Sequence, residues 1–327
     1  MEGAGILDDP IRTTDFMVRL AKRLQDERGV SDSSSLQYLQ TLYQLNGAKP
    51  FKNLAWTRKI DDIKGRLDGY ADSTKMSYLA TLVSALSLYK SPVYKKTARA
   101  YTSELNKAKD VLAKKPVHEK TEKQAENWVD WDEVIKKKTE LASQVKPLLS
   151  LNRPLTPREY ETVLSHLVLS LYTEMPPRRN KDFMEAFVVK SFRDSLPQNF
   201  NYLDLKGKRF IFNKYKTAKV YGQQIVGVPE DLMRTIKNYL KIHPKKDELV
   251  IPLLTRSDGS HLSSVNSITR ILNRVFGKNV GSSMLRHSYL TSKYGKDTDA
   301  ARIETERKAT AEAMSHSMGL QNEYIKE

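Results

Sequence analysis

PQNFNYLDLKGKRFIFNKYKTAKVYGQQIVGVP, residues 197–229, differs in texture from everything around it. It holds three short runs rich in aromatic and β-branched residues: Tyr202–Leu205, Arg209–Asn213 and Gln224–Val228. Lys206-Gly207-Lys208 separates the first two as a turn. The pattern predicts a small antiparallel sheet. Lys214, Lys216 and Lys219 ride on the connection between the second and third runs.

On both sides of this stretch the periodicity is helical. After Pro229-Glu230, Leu232, Ile236 and Leu240 recur at helical spacing, and residues 263–276, 283–294 and 300–314 read as further helices. Upstream, Thr156-Pro157-Arg158-Glu159 has the form of a helix start, with Thr at the cap, Pro at the first position and Glu at the third. Trp128 and Trp131 open another helix, acidic in its first turn and lysine-rich after it.

Residues 114–126 are charged and nearly devoid of large apolar groups, which predicts a connector. Before it lie several amphipathic helices: one with Phe16, Leu20 and Leu24, and one capped at Ser33–Ser35, bearing Leu36, Leu39 and Leu42 and stopped at Asn46-Gly47. Others carry Leu54, Ile60, Ile63 and Leu67, or are capped at Asp72-Ser73 over Leu79, Leu82 and Leu86, and a last one runs from Ser91 to Leu112. The expected organisation is a helical bundle over residues 1–115, a connector and helix over 116–150, and a mixed domain over 151–327. The fold class is thus mainly α with a small antiparallel sheet.

Fifty-five Lys and Arg face 39 Asp and Glu, a formal net charge of +16 spread along the chain. Such a surface suits a polyanion, nucleic acid first among them. The absence of cysteine excludes disulfides, thiolate metal sites and a cysteine nucleophile. MEGAGILDDPIR at the start has neither the basic nor the apolar region of a signal peptide, so an intracellular location is expected. No Walker A loop, zinc-spaced Cys or His cluster, or G-x-S-x-G occurs.

What remains is a set of basic residues and a tyrosine: Pro176-Pro177-Arg178-Arg179-Asn180-Lys181-Asp182, then Met284-Leu285-Arg286-His287-Ser288, then Met314-Ser315-His316 followed by Tyr324. Each alone is ordinary. In this order they resemble the tyrosine recombinase (phage integrase-like) family. The resemblance implies a helical core-binding (SAM-like) domain and a mixed α+β catalytic domain. It implies cleavage and rejoining of double-stranded DNA through a 3′-phosphotyrosine, by a homotetramer on DNA that uses neither metal nor ATP. A type IB topoisomerase-like enzyme shares the catalytic set, and an inactive DNA-binding relative would share the fold.

Carried over residue by residue, the resemblance makes Tyr324 the nucleophile, Arg286 the second-box arginine and His316 the following histidine. Asp182 three positions on favours Arg179 over Arg178 as the first arginine. Lys216 is favoured as the general acid, with Lys219 and Lys214 as alternatives. Lys95, Lys96, Arg99, Lys219 and His287 are expected to contact DNA, with His287 also readable as a packed residue. Two features depart from the family pattern. Ser283 stands where His or Lys is usual, and Tyr324 falls eight residues past His316, one fewer than expected.

Overall fold

The computed structural model describes residues 13–114, 119–262, 264, 266–294 and 300–326. The expected leader at residues 1–12, the part of the connector around His118, and the expected helix start at Ser263 lie outside the described residues. The chain forms two compact units, Met1–Pro116 and Val117–Glu327.

The first unit is helical: α1 (Asp15–Arg28), α2 (Asp32–Leu45), α3 (Ile60–Leu67), α4 (Asp72–Leu86) and α5 (Pro92–Ala113), with a 3-10 turn at Ala55–Arg58. Leu20, Leu24, Leu39, Leu42, Leu82 and Tyr101 make its core. The Tyr101 hydroxyl donates to the Thr57 carbonyl at 2.6 Å, so the one polar atom of this buried ring is satisfied. Helix starts differ slightly from expectation. Ser31, not Ser33–Ser35, caps α2, because it is the last residue in extended conformation. Asp72 lies in the first turn of α4, with Ala71 at the cap.

The second unit begins with α6 (Glu122–Asn127), α7 (Trp131–Leu148), α8 (Pro157–Thr173) and α9 (Asn180–Met184). β1 (Ala186–Val189), β2 (Asn201–Asp204), β3 (Arg209–Phe212), α10 (Ala218–Tyr221), β4 (Gln224–Gly227), α11 (Glu230–Lys241) and β5 (Val250–Pro252) follow. The last elements are α12 (Asn266–Phe276), α13 (Ser282–Tyr294), α14 (Ala300–Ala313) and α15 (Met318–Tyr324). The capping box at Thr156/Glu159 starts α8 as its sequence predicts.

The sheet is open, in the order β4-β3-β2-β1-β5. It is larger than expected and mixed rather than purely antiparallel, since β1 and β2 run parallel. β1 follows α9 directly, with no turn signal between them, and β5 is only three residues long, so neither reads as a strand from local pattern. Phe183, Phe210, Leu167, Leu171, Ile236, Leu272 and Leu285 bind sheet and helices into one core. No described helix is long and apolar enough to cross a membrane.

Candidate active site

Pro176 and Pro177 hold the chain extended up to Arg179, which stands at the N-cap of α9 with φ −78° and ψ 149°. Successive side chains of an extended segment point to opposite sides. The two arginines therefore part company. Arg178 turns inward and is 0% exposed. Its Nε donates to Asp182 Oδ2 at 2.9 Å, Nη1 to Gln224 Oε1 at 3.0 Å and to the Ala313 carbonyl at 2.5 Å, and Nη2 to Ser315 Oγ at 2.6 Å. Its guanidinium lies 3.8 Å above the Phe212 ring. Asp182 thus serves Arg178 and not Arg179.

Arg179 is half-buried and donates from Nη1 to the Ser315 carbonyl at 3.1 Å. Burial, and after it the like charge of Arg286, pull its guanidinium below the ordinary arginine range, while Tyr324 opposes the shift.

α14 ends in a reversal at Ser315, whose φ of 57° is left-handed. The Ser315 N–H returns to the Glu312 carbonyl and the His316 N–H to the Ala311 carbonyl at 3.0 Å, closing the helix C-terminus. The reversal gives the Ser315 carbonyl two donors, Arg179 and the Thr217 hydroxyl at 2.8 Å. The Ser315 hydroxyl donates to Gln224 Oε1 at 2.6 Å.

Next in the chain, His316 is buried, with its ring centroid 5.6 Å from that of Tyr324. Its Nδ1 donates to the Ser317 carbonyl at 3.1 Å. Its Nε2 has no hydrogen-bond partner among the described residues. Burial, reinforced by Arg286 and Arg179, pushes its pKa down to about 4.

Arg286 projects from α13 and is buried. Its Nη2 donates to the Tyr324 hydroxyl at 3.1 Å and to Ser283 Oγ at 3.0 Å. Its Nε and Nη1 are buried without a hydrogen-bond partner among the described residues. Tyr324 closes α15, which Ser317 caps by accepting from the Leu320 N–H at 3.2 Å. The exposed Ser283 is engaged by Arg286.

His287 holds the other end of Tyr324. Its Nδ1 lies 2.6 Å from the Tyr324 carbonyl oxygen and its Nε2 3.2 Å from Gln124 Nε2. Both ring nitrogens are thus engaged within the protein.

Lys214 pairs with Glu185 at 3.2 Å. Lys216 and Lys219 are exposed on the β3–β4 connection, next to or near Thr217, whose bond to Ser315 anchors that connection beside His316. In the first unit Lys95, Lys96 and Arg99 are exposed on α5.

The site therefore gathers Arg179, Arg286, His316 and Tyr324, with Lys216 on the anchored connection. Gln224, Ser315 and Gln124 went unread in the sequence. The Thr121-x-x-Gln124 capping box is a local signal for Gln124, but nothing local announces the other two. Chemically, two guanidiniums and a neutral imidazole close to one tyrosine make a cationic cluster that an anion would suit.

No family model and no curated protein matches the chain. Among solved structures, a crystal structure of XerA recombinase matches at 15% identity, covering 96% of this chain and 93% of that chain, with a TM-score of 0.41.

Proposed function

We propose that the protein is a site-specific DNA recombinase of the tyrosine recombinase type, which cleaves one strand through Tyr324 and rejoins it as a homotetramer on two duplexes. The observation that carries this reading is that Nε and Nη1 of Arg286, beside the tyrosine hydroxyl held by Nη2, are buried and have no hydrogen-bond partner among the described residues. Buried cationic donors of this kind are costly unless an anion completes them. Phosphodiester oxygens can accept from them separately, one at each open edge of the guanidinium, and Arg179 supplies a second planar, permanently charged fork.

Tyr324 Oη attacks phosphorus, and the bond to the 5′-oxygen breaks. Lys216 protonates that leaving oxygen as general acid. Arg179 and Arg286 stabilise the charge that develops on the non-bridging oxygens, often the largest catalytic contribution. His316 has a different part. With its Nδ1 proton given to the Ser317 carbonyl, its neutral ring presents a lone pair at Nε2. It accepts the Tyr324 hydroxyl proton as Oη attacks, and the resulting imidazolium donates to a non-bridging oxygen. Reattack by another 5′-hydroxyl reverses the step and exchanges strands. In this reading Arg178 is a structural arginine that fixes the turn at Ser315, and Lys95, Lys96 and Arg99 grip the duplex backbone.

Ser283 favours a second reading, a DNA-binding relative without cleavage, because a serine bonded to Arg286 offers no acid or base at that position. Covalent trapping separates the two. The protein is mixed with nicked suicide duplexes of randomised sequence in EDTA, without ATP. A denaturation-resistant adduct that disappears in Tyr324→Phe supports the recombinase. DNA binding without any adduct supports the second reading. Relaxation of supercoiled plasmid by a monomer would instead place the activity with topoisomerase-like enzymes.

A further inference from the structure

His287 and Gln124 form an ordered chain of donors that ends on the tyrosine. Gln124 is the third residue of α6, and its Oε1 accepts from the Thr121 N–H at 2.9 Å and from Thr121 Oγ1 at 3.2 Å. That capping box fixes the carboxamide oxygen toward Thr121, so the amide nitrogen faces His287 Nε2. An amide nitrogen only donates. His287 Nε2 is therefore the bare acceptor, and the ring proton sits on Nδ1. The Tyr324 carbonyl oxygen, 2.6 Å from Nδ1, only accepts. One tautomer satisfies both ends, and every bond from Thr121 to Tyr324 points the same way.

Adjacent residues of α13 thus grip opposite ends of one residue. Arg286 holds the Tyr324 hydroxyl and His287 its backbone carbonyl. The two rings lie 4.6 Å apart. The charged groups facing His287 are Arg286 on its own helix and Lys326 beyond α15, both cationic. With burial as the larger cause, they push its pKa down to about 4. The ring is neutral at physiological pH, as a tautomer-directed contact requires.

We propose that Gln124 and His287 are positioning residues for Tyr324. In this scheme Gln124 selects the Nδ1–H tautomer of His287, which holds the Tyr324 carbonyl and so sets where the hydroxyl stands before cleavage. The scheme rests on the reading of Tyr324 as nucleophile. It also gives α6, the first helix of the second unit, a part in the reaction that its exposed, connector-like sequence conceals.

Two measurements on the full chain test it. The first is the tautomer of His287, from ring-nitrogen shifts of histidine-labelled protein. The proton is expected on Nδ1, and Gln124→Ala should redistribute it between the nitrogens. A proton on Nε2, or no response to Gln124→Ala, overturns the scheme whatever the enzyme does. The second is the rate of adduct formation on the suicide duplex. Gln124→Ala and His287→Ala should each slow it about fivefold to tenfold, the scale of one hydrogen bond, and the double variant no further.

His287→Asn places an amide donor where Nδ1 stood. It should restore the rate to within about twofold of wild type and make it indifferent to Gln124→Ala. Gln124→Glu keeps the cap but offers His287 only an acceptor. Its rate should be near wild type at acidic pH, where both ring nitrogens carry protons, and fall as pH rises. A Gln124→Ala rate equal to wild type overturns the scheme. So does His287→Asn as slow as His287→Ala at an unchanged melting temperature. If wild type itself forms no adduct, the nucleophile reading fails, and the tautomer measurement still decides the relay.

Discussion

Arg178 and Arg179 are neighbours in sequence with opposite expected roles, and their substitutions should separate stability from activity. Arg178→Ala strands Asp182 as an uncompensated buried charge, and losing one partner of such a pair costs about 3–5 kcal/mol. A large drop in melting temperature is expected. Arg178→Lys recovers little, because an ammonium cannot serve four acceptors in a plane. Arg179→Ala should leave the melting temperature near wild type and slow adduct formation by about 10²–10³, the scale for losing one preorganised donor to a developing oxyanion. If Arg179→Ala unfolds the protein and Arg178→Ala is merely inactive, the assignment is inverted. Arg286, His316 and Tyr324, which the structure brings together, were named from sequence because their order resembles that of the tyrosine recombinases. The arginine pair could not be resolved that way. Which guanidinium is buried depends on Gln224 and Ser315, far along the chain, and the Asp182 spacing that pointed to Arg179 reflects a bond to Arg178.

His316 and His287 bring a pH dependence at the same scale. Both are held near a pKa of about 4 in the fold and return to about 6.5 when it opens. Between these values the unfolded chain binds more protons, so stability falls as pH drops from about 6.5 to about 4 and levels off below that. Denaturant midpoints across this window measure it. An anion bound between Arg286 and His316 raises the His316 pKa, so inorganic sulfate should stabilise the protein more at pH 5 than at pH 7. The difference should vanish in His316→Asn.

At the scale of elements, α15 is short and delivers the tyrosine, so its cap matters more than its length suggests. Ser317→Ala removes the acceptor for the Leu320 N–H and should cost about 1 kcal/mol, with faster amide exchange confined to the last turns of the chain. No change in exchange there would mean that the packing of Tyr324 and Ile325, not the cap, holds the helix. α15 was not legible in sequence, where Met318–Tyr324 shows no apolar periodicity, and it owes its place to contacts with α13. The hairpin of β2 and β3 was legible, since its turn and the apolar runs on either side of it are local. β1 and β5 were not, because their signal is burial supplied by the rest of the sheet. The Thr156 capping box was read correctly because both of its partners lie within one turn.

Across the whole molecule, two units with separate cores should melt as two cooperative events. Calorimetry should give an enthalpy well above the van't Hoff value, and residues 117–327 expressed alone should keep the transition that depends on Arg178. With a net charge of +16, duplex binding should weaken steeply with salt, the logarithm of affinity falling linearly with that of salt concentration. Lys95→Ala, Lys96→Ala and Arg99→Ala should each flatten the slope by about one unit, without altering sequence preference. Ser315 has a last consequence, for evolution and for engineering. One peptide carbonyl tethers both Arg179 and the connection that bears Lys216. A mutation that shifts this reversal retunes both at once. Variants with altered specificity should therefore accumulate changes elsewhere, leaving the reversal at Ser315 as the least evolvable point of the site.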